Sequence, residues 1–309
     1  MTIEVLLIGL GKIGVEYDLN NHYSLTHFNS FYRNKKFKVV GVCDINSKKK
    51  NFFEKKKISF FSNYKEAFKK LNPVVVVVST TTDTHFKILK DILKYNSVKL
   101  ILCEKPFCLN VVQARKIKLL DRFNKIYVNY MRSSDHIFYN KVIKKIKNSS
   151  SLFIEVFYKG TVLNNACHYI QLLNKYFGKC KRIENILKFD INYSDFKLIF
   201  KKNIQAHFFS SSARGLFLDS MRFNTPKLII NYDNGGHLIY NSKSIKNPIY
   251  LTPNYFKLKN IITNKFYENS QKNIVNNIYK CISKRKYSLC KSVEAIEIHE
   301  VIKKIANEK

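Results

Sequence analysis

The 309-residue chain lacks tryptophan and has only five prolines, nine glycines and 22 acidic residues, against 55 basic ones. With so little proline and glycine it is neither collagen-like nor of low complexity, and 45% hydrophobic residues exclude intrinsic disorder. The longest purely apolar run, Val74 to Val78, is far shorter than the roughly 20 residues of a membrane helix. We therefore expect a globular chain with no membrane segment.

Cysteine usage also excludes several classes. The seven cysteines include no CxxC pair, which argues against a disulfide framework and against a zinc site. His168 has no partner at ligand spacing, so we expect no metal. The apolar N-terminal stretch Val5 to Leu10 contains a glycine and leads into a Gly-rich turn, which does not resemble a signal peptide. These features predict a cytoplasmic protein with reduced thiols.

The formal charge of +33 raises the question of nucleic-acid binding. Only eight of the basic residues are arginine, the residue that reads base edges and phosphates best, and the lysines are spread over the whole chain. This distribution favours a solvated surface over a nucleic-acid interface. We expect the charge to draw an anionic ligand, such as a dinucleotide or a nucleotide sugar, toward a cleft.

The first 128 residues alternate strand-like and helix-like segments, which predicts an α/β Rossmann domain with a doubly wound parallel sheet. The predicted strands are Ile3–Ile8, Phe37–Cys43, Val74–Ser79, Lys99–Cys103 and Ile126–Asn129. The predicted helices between them are Tyr64–Leu71, His85–Tyr95 and Val111–Phe123. The strands are nearly continuous apolar runs, as is typical of strands buried on both faces.

Residues 129–309 follow a different pattern, which predicts a second α/β domain with an open, mainly antiparallel sheet. The predicted strands are Leu152–Tyr158, Lys197–Phe200, Gln205–Ser210, Gly215–Met221, Leu228–Tyr232 and His237–Asn241, with a hairpin turn at 233–236. The predicted helices are Phe138–Lys147, Asn165–Phe177 ended by Gly178, and two more that start at Ser270 and Ser292. We expect the last helices to pack back on the first domain.

A dinucleotide-binding turn is predicted directly after the first strand, at Gly9-Leu10-Gly11-Lys12-Ile13-Gly14. In such a GxGxxG turn, one glycine makes the bend, one lets the backbone approach a pyrophosphate, and one permits close packing of helix on strand. The following helix offers its free N–H groups to the phosphates. Gly9, Gly11, Lys12, Ile13 and Gly14 are therefore the predicted cofactor contacts.

Asp44 ends the second strand, where a carboxylate can accept the ribose hydroxyls of the cofactor. It comes about ten residues later than is usual for this motif, which we attribute to an insertion at 15–24 that lies over the active site. The carboxylate would repel the 2′-phosphate of NADP and therefore favours NAD. Lys48, Lys49 and Lys50, just beyond it, weaken this preference for NAD. The alternative is a tight turn with an aspartate that caps the next helix.

Five motifs in the same order resemble the Gfo/Idh/MocA family, the relatives of glucose-fructose oxidoreductase and inositol dehydrogenase. They are Gly9–Gly14, Ser79–His85, Glu104–Pro106, Asn129–Arg132 and Gly160–Leu173. The resemblance implies hydride exchange between NAD or NADP and a carbon of a sugar, a cyclitol or a nucleotide sugar, as in surface-polysaccharide biosynthesis. It also implies homo-oligomers formed through the second sheet.

The motifs suggest roles for individual residues. Lys105 and His168 are the predicted catalytic residues, because an ammonium group can stabilise an alkoxide and an imidazole can move a proton at neutral pH. They are expected to converge beside the nicotinamide. The remaining predicted contacts are Thr80, Thr82, His85 and Glu104 for the cofactor, and Tyr130, Arg132, Asn164 and Asn165 for the substrate. The structural alternatives are a surface lysine for Lys105, a core histidine for His168 and an interdomain salt bridge for Tyr130 and Arg132.

The chain departs from the family pattern in ways that bear on catalysis. Asn164 and Gln171 stand where relatives often have aspartates, and the loop after the third predicted strand lacks a common proline. An amide cannot accept a proton, so the base would be His168 or Lys105. The rival hypothesis is a non-catalytic protein that senses a dinucleotide or a sugar, or serves as a scaffold, on the same fold.

Overall fold

The computed structural model describes residues 2–19, 23–190, 192–201, 204–246 and 255–307. The chain divides into two compact units. The first comprises Met1–Ser134 and Glu268–Ile296, and the second comprises Asp135–Tyr267 and Glu297–Lys309. Within the described ranges, no helix combines the length and the apolar composition needed to cross a membrane.

The strands and helices have the following bounds. The strands are β1 Ile3–Ile8, β2 Phe37–Cys43, β3 Ser59–Phe61, β4 Val75–Val78, β5 Leu100–Cys103, β6 Ile126–Val128, β7 Leu152–Tyr158, β8 Arg182–Lys188, β9 Ser194–Ile199, β10 Ile204–Ser210, β11 Ser220–Asn224, β12 Leu228–Asp233, β13 Leu238–Ile245, β14 Tyr255–Thr263 and β15 Cys290–Lys291. The α-helices are α1 His27–Tyr32, α2 Lys50–Lys55, α3 Tyr64–Lys70, α4 Thr82–Ile92, α5 Val111–Leu120, α6 His136–Phe138, α7 Lys144–Ile146, α8 Cys167–Phe177, α9 Phe266–Ile282 and α10 Ser292–Asn307. Turns of π-helix lie at Tyr139–Ile143 and Val162–Ala166.

The first unit contains a seven-stranded sheet in the order β15-β6-β5-β4-β1-β2-β3. All neighbouring strands are parallel except β15, which runs antiparallel to β6. Apart from β15 this is the strand order of a Rossmann fold, and the predicted fold class of this unit is confirmed. The four valines of β4 are completely buried because helices cover both faces of the sheet. Residues of α9, including Ile274 and Ile278, join the same core.

The second unit contains an eight-stranded sheet in the order β14-β13-β12-β11-β7-β10-β9-β8. Only the pair of β7 and β10 is parallel, so the predicted antiparallel character is confirmed. Alternate residues of β7 are buried, whereas Phe153 on the opposite face is 38% exposed. One face of this sheet therefore packs on the core and the other remains open.

One predicted strand of this sheet is wrong. The sequence pattern favours a strand at Gly215–Met221, but β11 begins only at Ser220. A helical turn at Ser212–Arg214 precedes it, and Gly215 has a left-handed φ of +69°. The apolar residues 216–218 thus belong to the irregular loop between β10 and β11.

An insertion interrupts the helix that follows the glycine turn. Backbone N–H groups of Val15 and Glu16 bond back to residues 11 and 12, as in a first helical turn. The next bonds of that helix come from His27 to Ile13 O and from Phe28 to Gly14 O, both at 3.0 Å. In a continuous α-helix, residues 17 and 18 would make them, so ten residues are inserted. The ten inserted residues account for the late position of Asp44. They also interrupt the helix, which would be continuous in the usual motif.

The buried side chain of Asp18 closes the stem of the insertion. Its carboxylate accepts hydrogen bonds from Leu25 N at 2.6 Å and from both Thr26 N and Thr26 Oγ1 at 3.0 and 2.6 Å. Thr26 in turn caps α1 by accepting from Asn29 N. Residues 20–22, the middle of the predicted insertion, lie outside the described residues.

Replacement of Asp18 by alanine should destabilise the chain strongly. It leaves three donors without an acceptor, two of them buried, so we expect the free energy of unfolding to fall by about 2–4 kcal/mol. The measurement is urea denaturation followed by circular dichroism. Glu54→Ala is the control, because Glu54 makes one exposed ion pair with Lys50 at 3.8 Å and should cost less than about 0.5 kcal/mol. Equal losses for the two variants would contradict a structural role of Asp18.

Candidate functional site

The glycine turn leaves open space at its centre and is tightly packed at both ends. A Cβ on Gly9, whose φ is +97°, would lie 2.5 Å from the carbonyl carbon of Ser79, and one on Gly14 would lie 2.4 Å from Gly9 O. A Cβ on Gly11 would meet no described atom within 4 Å. The outer glycines are therefore required by packing, and Gly11 keeps its backbone accessible. This arrangement fits a dinucleotide pyrophosphate.

Asp44 lies against the same turn. One carboxylate oxygen accepts a hydrogen bond from Leu10 N at 2.6 Å, and the other accepts one from Asn46 N at 2.8 Å. The nearby lysines are partly neutralised, since Lys49 Nζ lies 2.7 Å from Glu16 Oε1. Acidic character is thus retained where the ribose of a dinucleotide is expected.

The segment after β4 forms a second wall of this site. Ser79 Oγ donates a hydrogen bond to Gly9 O at 2.9 Å, and Thr84 Oγ1 donates one to Thr80 Oγ1 at 2.7 Å. The helix α4 begins at Thr82, so free N–H groups of its first turn lie in this segment. Thr80 and Thr82 are half-buried, and Thr80 N would lie 2.6 Å from a Cβ on Gly9.

His85 is completely buried and connects two loops. Its Nε2 lies 3.1 Å from Thr80 O, and its Nδ1 lies 3.1 Å from Pro106 O. Both ring nitrogens thus face backbone carbonyl oxygens. The structure shows His85 supporting the loops after β4 and β5, which carry Thr80 and Lys105.

Glu104, at the end of β5, is a buried carboxylate with two side-chain donors. Oε1 lies 2.7 Å from His27 Nε2 and accepts a hydrogen bond from Asn129 Nδ2 at 2.6 Å. Burial raises the pKa of Glu104, but the hydrogen bonds from His27 and Asn129 and the charges of His27 and Lys105 outweigh it. The net pKa lies below the usual value, so Glu104 is ionised at neutral pH.

No motif of the sequence indicates the contact between His27 and Glu104. His27 lies 77 residues from Glu104, and no local pattern marks it. The sequence motifs predict Glu104 as a contact of the cofactor, and this stays a prediction. The structure shows its carboxylate held by His27 of α1 and by Asn129 at the end of β6.

The other predicted residues of the first unit differ in exposure. Lys105 is half-buried and precedes a cis peptide bond to Pro106. Lys12 is exposed and Ile13 is half-buried. Two further predicted residues, Tyr130 and Arg132, are each only 2% exposed.

The predicted residues of the second unit surround the start of α8. His168 lies in its first turn and is 5% exposed. Asn164 is exposed and Asn165 half-buried in the preceding π-helical turn, which Thr161 caps by accepting from Asn164 N at 3.1 Å. Turns of this kind are frequent at functional sites. Within the described residues, the buried Oε1 of Gln171 has no hydrogen-bond partner.

A Rossmann sheet with this glycine turn is typical of the class of dinucleotide-binding proteins. Residues 3–129 match the model of the GFO_IDH_MocA family, described as an oxidoreductase family with an NAD-binding Rossmann fold. The match covers the Rossmann domain, which is thus similar to the NAD-binding domain of the Gfo/Idh/MocA oxidoreductases. A comparison with curated proteins gave no match.

Solved structures similar to this chain show the same fold over both units. A dehydrogenase (MviM) from Clostridium difficile has a TM-score of 0.74 at 17% identity, over 99% of both chains. UDP-N-acetylglucosamine 3-dehydrogenase GnnA from Acidithiobacillus ferrooxidans has a TM-score of 0.72 at 12% identity, over 99% of this chain and 97% of that one. An oxidoreductase from Agrobacterium radiobacter, in complex with NAD+, L-tartaric acid and magnesium, has a TM-score of 0.71 at 11% identity, over 100% of this chain and 98% of that one.

Glu104 should make the stability of the fold depend on pH. Its pKa in the folded chain lies below its usual value near 4.5, so the ionised carboxylate stabilises the fold above that pH. The contribution is lost as the pH falls through the lower folded-state pKa. We expect Glu104→Gln to reduce the free energy of unfolding by about 1–3 kcal/mol at pH 7 and by less with each step below pH ~4.5.

Thermal unfolding of both proteins between pH 7 and pH 3.5 measures this difference. Glu66→Gln, at an exposed position of α3, is the matched control and should leave the unfolding temperature nearly unchanged at every pH. A difference that stays constant or grows as the pH falls would show that Glu104 is not stabilised in its ionised form.

Proposed function

We propose that the chain is an NAD-dependent dehydrogenase or reductase acting on an alcohol carbon of a sugar, a cyclitol or a nucleotide sugar. The observation that carries the proposal is the open space over Gly11, bordered by Asp44 and by the Thr80 segment. The glycine turn, Asp44, the Thr80 segment and Lys105 all follow strands of one parallel sheet. The carboxyl edge of such a sheet is where dinucleotides bind.

Different residues at this edge would bind different parts of the dinucleotide. Backbone N–H groups of the glycine turn, including those of Lys12 and Ile13, would hold the pyrophosphate, and Asp44 would accept the ribose hydroxyls. Thr80 and Thr82 would border the nicotinamide half. The bound cofactor supplies the hydride acceptor or donor. The carboxylate of Asp44 would repel a 2′-phosphate, which supports NAD over NADP.

Lys105 and His168 are the proposed catalytic residues at the reacting hydroxyl. The Lys105 ammonium group would stabilise the developing alkoxide, and the imidazole of His168 would take up or deliver the proton. Neither Asn164 nor Asn165 can act as a base, so these amides would bind substrate hydroxyls, together with Tyr130 and Arg132. The similarity to a UDP-N-acetylglucosamine 3-dehydrogenase supports a nucleotide sugar as one substrate class.

Cofactor binding is tested at Gly11. A valine there would fill the space above the turn, so Gly11→Val should weaken NADH binding at least 10-fold and change the unfolding temperature little. Gly178→Ala is the control, since Gly178 has a φ of +85° in the second unit and its replacement should cost stability but not affinity. Fluorescence titration with NADH and NADPH measures both affinities. The wild type should bind NADH more tightly than NADPH. Unchanged NADH affinity in Gly11→Val would remove the basis of the proposal.

Hydride transfer is tested at Lys105 and His168. With a panel of sugars, cyclitols and nucleotide sugars, wild type should change the nicotinamide absorbance with at least one compound. Lys105→Ala and His168→Ala should each lower kcat about 10²–10⁴-fold. Lys99→Ala, at an exposed lysine before β5, should leave kcat unchanged. A wild type that binds NADH but turns over no compound of the panel would instead be the sensor described above.

A further inference from the structure

We propose that His27 is a positioning residue for Lys105, acting through the buried carboxylate of Glu104. The inference rests on the proposed catalytic role of Lys105 and adds a residue to it. His27 does not come from the glycine turn, from the Glu104–Pro106 motif or from any other segment that marks the site in the sequence. It reaches the site because α1 resumes after the insertion.

The Glu104 carboxylate is held on both of its oxygens. Two donors hold Oε1, namely His27 Nε2 at 2.7 Å and Asn129 Nδ2 at 2.6 Å. The other oxygen, Oε2, lies 3.3 Å from Lys105 N. Glu104 N also donates to Val78 O at 2.8 Å. The carboxylate is thus fixed on one side by α1 and β6, and on the other side it contacts the backbone of the lysine.

The charge of Glu104 also depends on its donors. Glu104 is buried and ionised, and the charge of the neighbouring Lys105 is one of the interactions that keep its pKa low. A buried carboxylate that loses one of two donors would take up a proton or move toward another donor. Either change would alter the charge and the backbone position next to Lys105. The bond from His27 therefore sets the environment in which the lysine would act.

The burial of the His27 ring supports the same role. The ring is fully buried, and Nδ1 has no hydrogen-bond partner among the described residues. An apolar side chain would fill the same space without burying this nitrogen. The contact that compensates for it is the bond from Nε2 to Glu104, which requires the hydrogen of the imidazole to be on Nε2.

The same network connects the lysine turn to other parts of the first unit. Thr26, directly before His27, donates to Asp18 at the stem of the insertion. Asn129 Nδ2 also lies 3.4 Å from Gln271 Oε1 on α9. The position of Glu104 is thus set by α1, by the end of β6 and, through Asn129, by α9. His27 connects Glu104 to the stem of the insertion through the adjacent Thr26.

The test compares His27→Leu with His27→Gln in the full-length chain. Leucine removes the donor, whereas the glutamine amide can still donate to Glu104. With an alcohol that wild type oxidises, we expect His27→Leu to lower kcat about 10–100-fold, with KM for NAD changed less than about threefold. His27→Gln should retain kcat within about fivefold. His299→Leu is the matched control: His299 is a buried histidine of the second unit, and its replacement should affect stability alone.

Equal losses of kcat in the two His27 variants, or full activity of His27→Leu, would overturn the proposal. If His27→Leu does not fold, His27→Gln is compared with Glu104→Gln. The proposal then requires near-normal kcat in the first and at least a 10-fold loss in the second, and the reverse order contradicts it.

A second readout separates this inference from the proposed function. The rate of Lys105 acetylation by an amine-reactive ester, followed by mass spectrometry, reports the state of the lysine without any substrate. It should change at least threefold in His27→Leu and stay near wild type in His27→Gln. If wild type oxidises no compound of the panel, the proposed function fails, and this rate still decides whether His27 acts on Lys105. Equal rates in all three proteins would overturn the inference.

Discussion

The close approach of two backbone segments in the first unit determines how the candidate site is built. The turn after β1 passes so near the end of β4 that Gly9 has no room for a Cβ, and Ser79 Oγ ties the two segments with a hydrogen bond to Gly9 O. This contact brings the glycine turn and the start of α4 to one edge of the sheet. The free N–H groups of both segments therefore lie where a dinucleotide binds in folds of this class.

Behind this edge lies a layer of buried polar side chains that supports the loops. His85 contacts carbonyl oxygens of the loops after β4 and β5, and Glu104 receives donors from α1 and from the end of β6. Such groups are costly to bury unless they are paired, so their bonds define the positions of the loops closely. The insertion adds to this layer through Asp18, whose carboxylate is satisfied entirely by the stem that it closes.

Much of the fold follows from local patterns. The predicted strands Ile3–Ile8 and Phe37–Cys43 have the observed bounds, because continuous apolar runs that end at Gly9 and Asp44 leave little choice. Gly178 ends α8 and Ser292 begins α10, as their capping preferences indicate. The predictions that fail also have physical reasons. The apolar residues 216–218 resemble a strand but belong to a loop, and the short elements α2 and β3 carry too few residues to show a period.

The candidate site divides in the same way. The glycine turn, Asp44 and Lys105 stand out in the sequence because each directly follows a predicted strand, and their roles, like that of His168, stay predictions. The amino acids alone also predicted a ten-residue delay before Asp44. They could not show that His27 takes the place of residue 17 in the helical ladder, or that its ring then reaches Glu104. Those contacts join residues far apart in the chain, and only the packing of α1 against the parallel sheet brings them within hydrogen-bonding distance.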